Sequence, residues 1–298
     1  MMKKEISLLF FLLCAFVYCQ ENDDSTKRLK ALNTQSVTYY NTDGVDFSSQ
    51  TYSYDFSEKS LKKIYRKFSI KDSDSKIKDE SLSNNNIHVV KTQKITENLT
   101  QTNSYYFVED NSKTITIIWF GYYNQIEKGF EKEYINRILK NEIPKEVFEP
   151  LIIDSIDFAG RKIKLGRNCS WTNINTVQCP YNGEMNWSVH KNIESAKNAI
   201  DNQFIATKNR SGIKVNSEEQ VAVIFEGIQT TAKKVIFDFT GMKSLMAGMS
   251  GGKTLTVYYV AEKVRNNYVG CVMSFWNNDN LTKDGLAPLL EEVMHLKI

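Results

Sequence analysis

From Ile87 to Thr96 apolar and polar residues alternate, and two apolar runs bounded by polar breaks follow before Tyr122. This pattern predicts three strands: Ile87–Thr96, Gln101–Glu109 around Tyr105-Tyr106-Phe107-Val108, and Thr114–Tyr122 through Ile115, Ile117, Ile118, Trp119 and Phe120. Glu97-Asn98 and Glu109–Ser112 supply polar breaks, so an antiparallel meander is expected. Upstream, Val37–Tyr40 and Thr51–Phe56 are strand-like, with an Asp43-Gly44 turn signal between them. Ser57 reads as the N-cap of a short helix starting near Glu58, with Leu61, Ile64, Tyr65 and Phe68 on one face. A second amphipathic helix is predicted over Ile126–Lys140 and ends at Asn141 and Pro144.

The later chain reads similarly. Ser155–Leu165 is strand-like, and Gly166–Trp187 is rich in turns. A helix is expected over Asn192–Phe204, then strands Val221–Gln229, Lys234–Phe239, Thr254–Lys263 and Asn267–Trp276. A terminal helix, Lys283–Leu296, follows, with Leu286, Leu289, Leu290, Val293 and Leu296 inward and Pro288 in its first turns. Both halves therefore end in an apolar hairpin and then a helix. A sheet with one apolar face must bury it, and a helix does so. The expected fold is α+β: antiparallel sheets, each covered by amphipathic helices, in two similar halves. The first domain runs over 36–150 and the second over 151–298, after a polar arm at 20–35. One continuous sheet with helices on one face is the alternative. Residues 157–190 have no evident counterpart in the first half.

The first nineteen residues change the compartment. Lys3 and Lys4 precede an apolar run from Ile6 to Tyr18, and polar chain begins at Gln20. That order is a secretory signal peptide, residues 1–19, and the run of about thirteen residues is too short to span a bilayer. A periplasmic or secreted location follows. The large Leu13 and Tyr18 before Cys14 and Cys19 argue against a lipid-anchored form. No transmembrane span is expected in the mature chain.

Lys plus Arg total 38 and Asp plus Glu 35, so the net charge of +3 gives no support to nucleic-acid binding. In an oxidising compartment Cys169 and Cys179 are close enough in sequence to form a disulfide, while Cys271 lies in an apolar strand. His88, His190 and His295 have no ligand spacing with the cysteines, so neither a metal centre nor a cofactor is expected. Gly248–Thr254 resembles a phosphate loop in composition, but Ala247 stands where its first glycine belongs and a strand follows. Met242, Leu245, Met246 and Met249 around it either meet a partner or pack inward. No Gly-x-Ser-x-Gly elbow occurs, and no catalytic residue is assigned.

The segment best suited to contacts is Trp171–Trp187. Trp171, Tyr181 and Trp187 offer area, Asn173 and Asn182 offer donors and acceptors, and a disulfide would restrain the loop. Local packing is the competing role for these aromatics. The expected function is an exported, noncatalytic binding or adaptor protein that contacts an envelope or extracellular protein, or a glycan. An inhibitory or structural envelope protein and a cofactor-free hydrolase with a dispersed site are the alternatives.

Overall fold

The computed structural model describes residues 25–123, 126–241 and 252–297. The proposed signal peptide and the Met-rich loop around Gly248 lie outside them. Strand makes up 47% of the structure and helix 19%, with four α-helices among the described residues. The fold is therefore mostly β. This corrects the expected α+β arrangement of sheets covered by helices: the strands form large sheets that the helices cover only in part.

The first sheet has seven strands, in the order β4-β5-β6-β3-β2-β1-β7. They are β1 (Lys30–Asn33), β2 (Thr38–Thr42), β3 (Val45–Tyr52), β4 (Asn86–Lys94), β5 (Thr100–Glu109), β6 (Ile115–Tyr123) and β7 (Phe148–Glu149). Part of the segment read as a polar arm is thus strand β1, with Ala31 and Leu32 buried. Helix α1 (Glu58–Lys67) starts where the sequence places it, and the Ser57 hydroxyl accepts from the Ser60 N–H at 3.4 Å. Its Leu61, Ile64 and Tyr65 pack on Val89, Phe107, Ile115 and Ile117. Helix α2 (Lys128–Leu139) sets Tyr134 and Ile135 against Phe47, Tyr106, Ile118 and Phe120. Alternation along β5 and β6 puts those two sets on opposite faces, so each helix covers one side of the sheet.

The second sheet has eight strands, in the order β10-β11-β12-β16-β15-β14-β13-β17. They are β10 (Ser170–Asn173), β11 (Thr176–Cys179), β12 (Gly183–His190), β13 (Ile213–Phe225), β14 (Ile228–Phe239), β15 (Thr254–Val264), β16 (Asn267–Trp276) and β17 (Met294–Leu296). Helix α3 (Ile193–Lys208) lies on one face, with Ile200 and Phe204 against Val235, Phe237, Val257 and Tyr259. Gly270 permits that approach, since a Cβ there would stand 3.2 Å from the Ala196 carbonyl oxygen. The other face carries Trp187, Tyr258, Cys271 and Met273. It is closed by the hairpin of β8 (Ser155–Phe158) and β9 (Arg161–Lys164), and by the C-terminal segment with α4 (Pro288–Glu291).

The two sheets share an order of construction. In each, a three-stranded meander is followed by a helix and a second meander, whose last strand docks beside the third strand of the first. Strands β10–β12 thus stand where β1–β3 stand, which supplies a counterpart for residues 170–190, while the β8–β9 hairpin before them has none. The second unit carries an extra strand in its later meander.

Three local expectations change. Ser155–Leu165 is a hairpin turning at Ala159-Gly160, both at positive φ. Val221–Gln229 contains the β13–β14 turn at Glu226-Gly227, where φ is 50° and 82°. The terminal helix is four residues long and gives way to β17, because the free edge of β13 at Val223–Phe225 offers the segment backbone partners. Leu286, Leu289, Leu290 and Val293 are buried all the same. No described helix is long and apolar enough to cross a membrane.

Glu226 ties three turns together. Its carboxylate, 3% exposed, accepts from Arg161 Nη2 at 2.6 Å and Arg265 Nη1 at 2.5 Å. Arg265 also donates to the Phe158 and Ala159 carbonyls. Removing the charge leaves the Arg161 and Arg265 guanidinium groups, 37% and 35% exposed, without their shared counter-charge. We expect Glu226→Gln to cost about 1–3 kcal/mol in urea unfolding, whereas Glu58→Gln, in the exposed pair with Lys62, leaves the midpoint unchanged. Equal midpoints for the two variants would show that the clamp is not needed.

Candidate functional site: a cleft between the sheets

Strands β3, β5 and β6 run on beyond the end of α1. On the helix-bearing face, Ile115 and Ile117 are followed at the same period by Trp119, Gly121 and Tyr123. Register sets Asp46 and Asn103 on either side of Gly121, and Gln101 beside Tyr123. The Trp119 indole lies across Gly121, where a Cβ would come within 2.8 Å of the ring, and its Nε1 donates to Asn103 Oδ1 at 3.0 Å. The ring is therefore held flat by a missing side chain below and a hydrogen bond at its edge.

The second sheet does the same thing. Past α3 its face carries Glu184, Asn186 and His190 on β12 and Ser274 on β16. Asn198, Asn202 and Gln203 of α3, with Arg210 beyond it, add a wall. The two uncovered faces enclose a cleft of about 810 Å³. A smaller cavity of about 560 Å³ adjoins Trp119 and Asp46 and is lined also by Leu151, Trp171 and Asn173.

Burial raises the Asp46 carboxyl, against the opposing pull of the Asn41 amide, which donates to it at 2.7 Å. Burial also raises Glu184, and it raises Tyr123 against the influence of Arg210. His190 is pushed down to about 4, chiefly by burial, so its ring is neutral at neutral pH. The His190 ring sits against Gly44, where any side chain would collide with Cε1, and φ is +78°. Its Nδ1 turns toward the Asp43 main chain without a well-formed hydrogen bond. The Asp43 carboxylate in turn holds Arg28 Nε at 2.6 Å. The His190–Gly44 contact joins the β2–β3 turn to β12, and so one sheet to the other.

Two serine–histidine contacts bear on the hydrolase alternative. His190 Nε2 lies 2.8 Å from Ser188 Oγ, and His88 Nε2 lies 2.9 Å from Ser104 Oγ. All four side chains are buried, and the Asp43 carboxylate is occupied by Arg28. Each pair satisfies polar groups within a sheet rather than presenting a nucleophile.

The residues singled out in Trp171–Trp187 disperse. Trp187 is in the core, 5.6 Å from the Phe158 ring. Trp171 stacks at a tilt on Trp187 with centroids 6.0 Å apart, and its Nε1 donates to the Pro150 carbonyl at 2.9 Å. Asn182 fastens the C-terminal segment: its amide bonds Asn280, and its carbonyl accepts from the Leu289 N–H at 3.0 Å. Asn173 and Tyr181 are exposed, but they flank opposite ends of β11, about 13 Å of strand apart. Cys169 and Cys179 are bonded, and Cys271 is free and buried. Of the five, Trp171 and Asn173 reach the smaller cavity beside Trp119. Trp119, Asp46, Glu184 and Asn186 carry no sequence mark beyond a polar tail on an apolar strand.

The two buried histidines predict acid sensitivity. Both His190 and His88 are lowered to about 4 by burial. Their contribution is complete above the unfolded value near 6.5 and is lost as pH falls from there toward 4. Asp46 and Glu184, being raised, act in the opposite sense as they protonate. We expect the stability difference between pH 7 and pH 5 to shrink by on the order of 1–2 kcal/mol in His190→Gln. Identical pH slopes for the variant and the parent would contradict the buried neutral state.

No protein-family model matches the chain, and no curated protein matches it. Among solved structures, the crystal structure of the di-domain ARO/CYC BexL from the BE-7585A biosynthetic pathway is similar at 11% identity, over 86% of this chain and 76% of that one. The TM-score of 0.14 is too low for anything to be carried from that protein to this one.

Proposed function

We propose that this protein is an exported, noncatalytic binding protein whose inter-sheet cleft takes a glycan segment. The observation that carries the reading is the Trp119 indole, laid flat over Gly121 and bordered by amides and carboxyls. A sugar ring has an apolar C–H face that packs on an aromatic plane, while its hydroxyls need both donors and acceptors. Asn186, Asn198, Asn202, Gln203 and Gln101 provide both, and Asp46 and Glu184 accept. The signal-like order of residues 1–19 and the Cys169–Cys179 bond support an oxidising compartment outside the cytosol.

Intrinsic tryptophan fluorescence against a panel of neutral oligosaccharides tests this. At least one class is expected to bind, with Trp119→Ala weakening it tenfold or more and Asn186→Ala less. Gly121→Ala, which displaces the ring without removing it, should also weaken binding. Absence of any carbohydrate ligand, or full binding by Trp119→Ala, would remove the reading.

A further inference from the structure

We propose that Asp284, Glu291 and His295 form a site for a first-row divalent cation, with zinc as the best fit. The ligand atoms of the three side chains lie within 4.8 Å of one another. Rotation about the side-chain bonds closes such a triangle onto an ion at about 2.1 Å. The site lies on the C-terminal segment, away from the residues that line the cleft.

Each ligand comes from a different backbone element. Asp284 sits in a turn closed by the Thr282 N–H to Leu286 carbonyl bond at 2.8 Å and the Gly285 N–H to Thr282 carbonyl bond at 3.1 Å. Glu291 ends α4. His295 is the central residue of β17, paired with Ile224 of β13. Alternation in β17 buries Met294 and turns His295 outward. The main chain thus fixes where the three side chains start, and ordering costs little on binding.

The charges also balance. Among the described residues, none of the three side chains makes an ion pair or hydrogen bond. Two carboxylates held this close repel unless a cation sits between them. Two carboxylates and a neutral imidazole offset a divalent ion. The imidazole favours zinc and its neighbours over magnesium and calcium, which take oxygen ligands. Three protein ligands leave a position for water. The bound ion would staple β17 and α4 to the turn, over the core side chains Leu290 and Met294.

The histidine count makes the test clean. The chain has three histidines; His88 and His190 are buried and His295 is exposed. Calorimetric titration of the purified protein with zinc chloride, in a buffer that does not coordinate metal, should show one ion per chain and a rise in unfolding temperature. Cobalt should give visible absorption bands from an imidazole–carboxylate site, and magnesium should not compete. His295→Ala and Asp284→Asn should each weaken zinc binding tenfold or more, with the metal-free unfolding temperature showing that each variant is folded. No zinc uptake by the parent, or unchanged affinity in both variants, would overturn the assignment.

Discussion

The strands are longer than the helices that cover them, and the rest of the architecture follows from that mismatch. Strand β5, at 10 residues, extends about 33 Å, whereas α1, also at 10, extends about 15 Å. Strand β14, at 12 residues, extends about 40 Å, against about 24 Å for α3 at 16. A helix can seal only part of such a face. Beyond it the chain must change composition or leave apolar groups in water. It changes composition: Ile115 and Ile117 under α1 give way to Trp119, Gly121 and Tyr123 beyond it. In the second unit, Val257 and Tyr259 lie under α3, while Glu184, Asn186 and Ser274 lie past it.

Because the two units are built in the same order, the same ends of both are left uncovered, and these ends face each other. Asp46 comes from the third strand of one early meander and Glu184 from the third strand of the other. Each unit so contributes a carboxyl that burial raises. What holds the units in place is polar and local: His190 against Gly44, and Lys30 Nζ 3.8 Å from Asp157 Oδ2. Contacts of this kind resemble those between domains of one chain more than a continuous core. The large apolar clusters stay within their own sheets.

Much of this could be read from the sequence where burial imposes a period. The Ser57 cap, the β6 run and the inward leucines of the C-terminal segment each follow from which groups must leave water. The failures come where burial does not dictate the pattern. The outer part of β13, Ser217–Gln220, is exposed on both faces, so it has no alternation to detect. Glu226-Gly227 turns the chain through positive φ, but a glutamate is a weak turn signal. The last strand depends on an open edge of β13, which only the assembled sheet supplies. Of these three, only the last segment reads as helix in place of strand; the α+β balance is expected because an apolar sheet face calls for a helix to cover it. The tryptophans show the same limit: Trp187 and Trp119 both lie in strands, but one faces the packed hairpin and the other a glycine beside open space.

Charge is a poor basis for recognition in this cleft. Its histidine is neutral at neutral pH, burial raises two of its four carboxyls, Asp46 and Glu184, and a third, Asp43, is paired with Arg28. Arg210 is the strongly basic group among its lining residues. Discrimination must therefore come from the match of hydrogen-bond partners. Such a match is demanding, because a buried amide left without its partner pays the desolvation cost and gets nothing back. A cleft lined with Asn and Gln side chains thus selects against ligands that lack a hydroxyl at the right place more strongly than against those with a different ring substituent in open solvent. The flat indole adds area without choosing among hydroxyl patterns. Affinity and selectivity then reside in different residues: the aromatic floor from β6 supplies the first, and the amides from α3 and β12 supply the second.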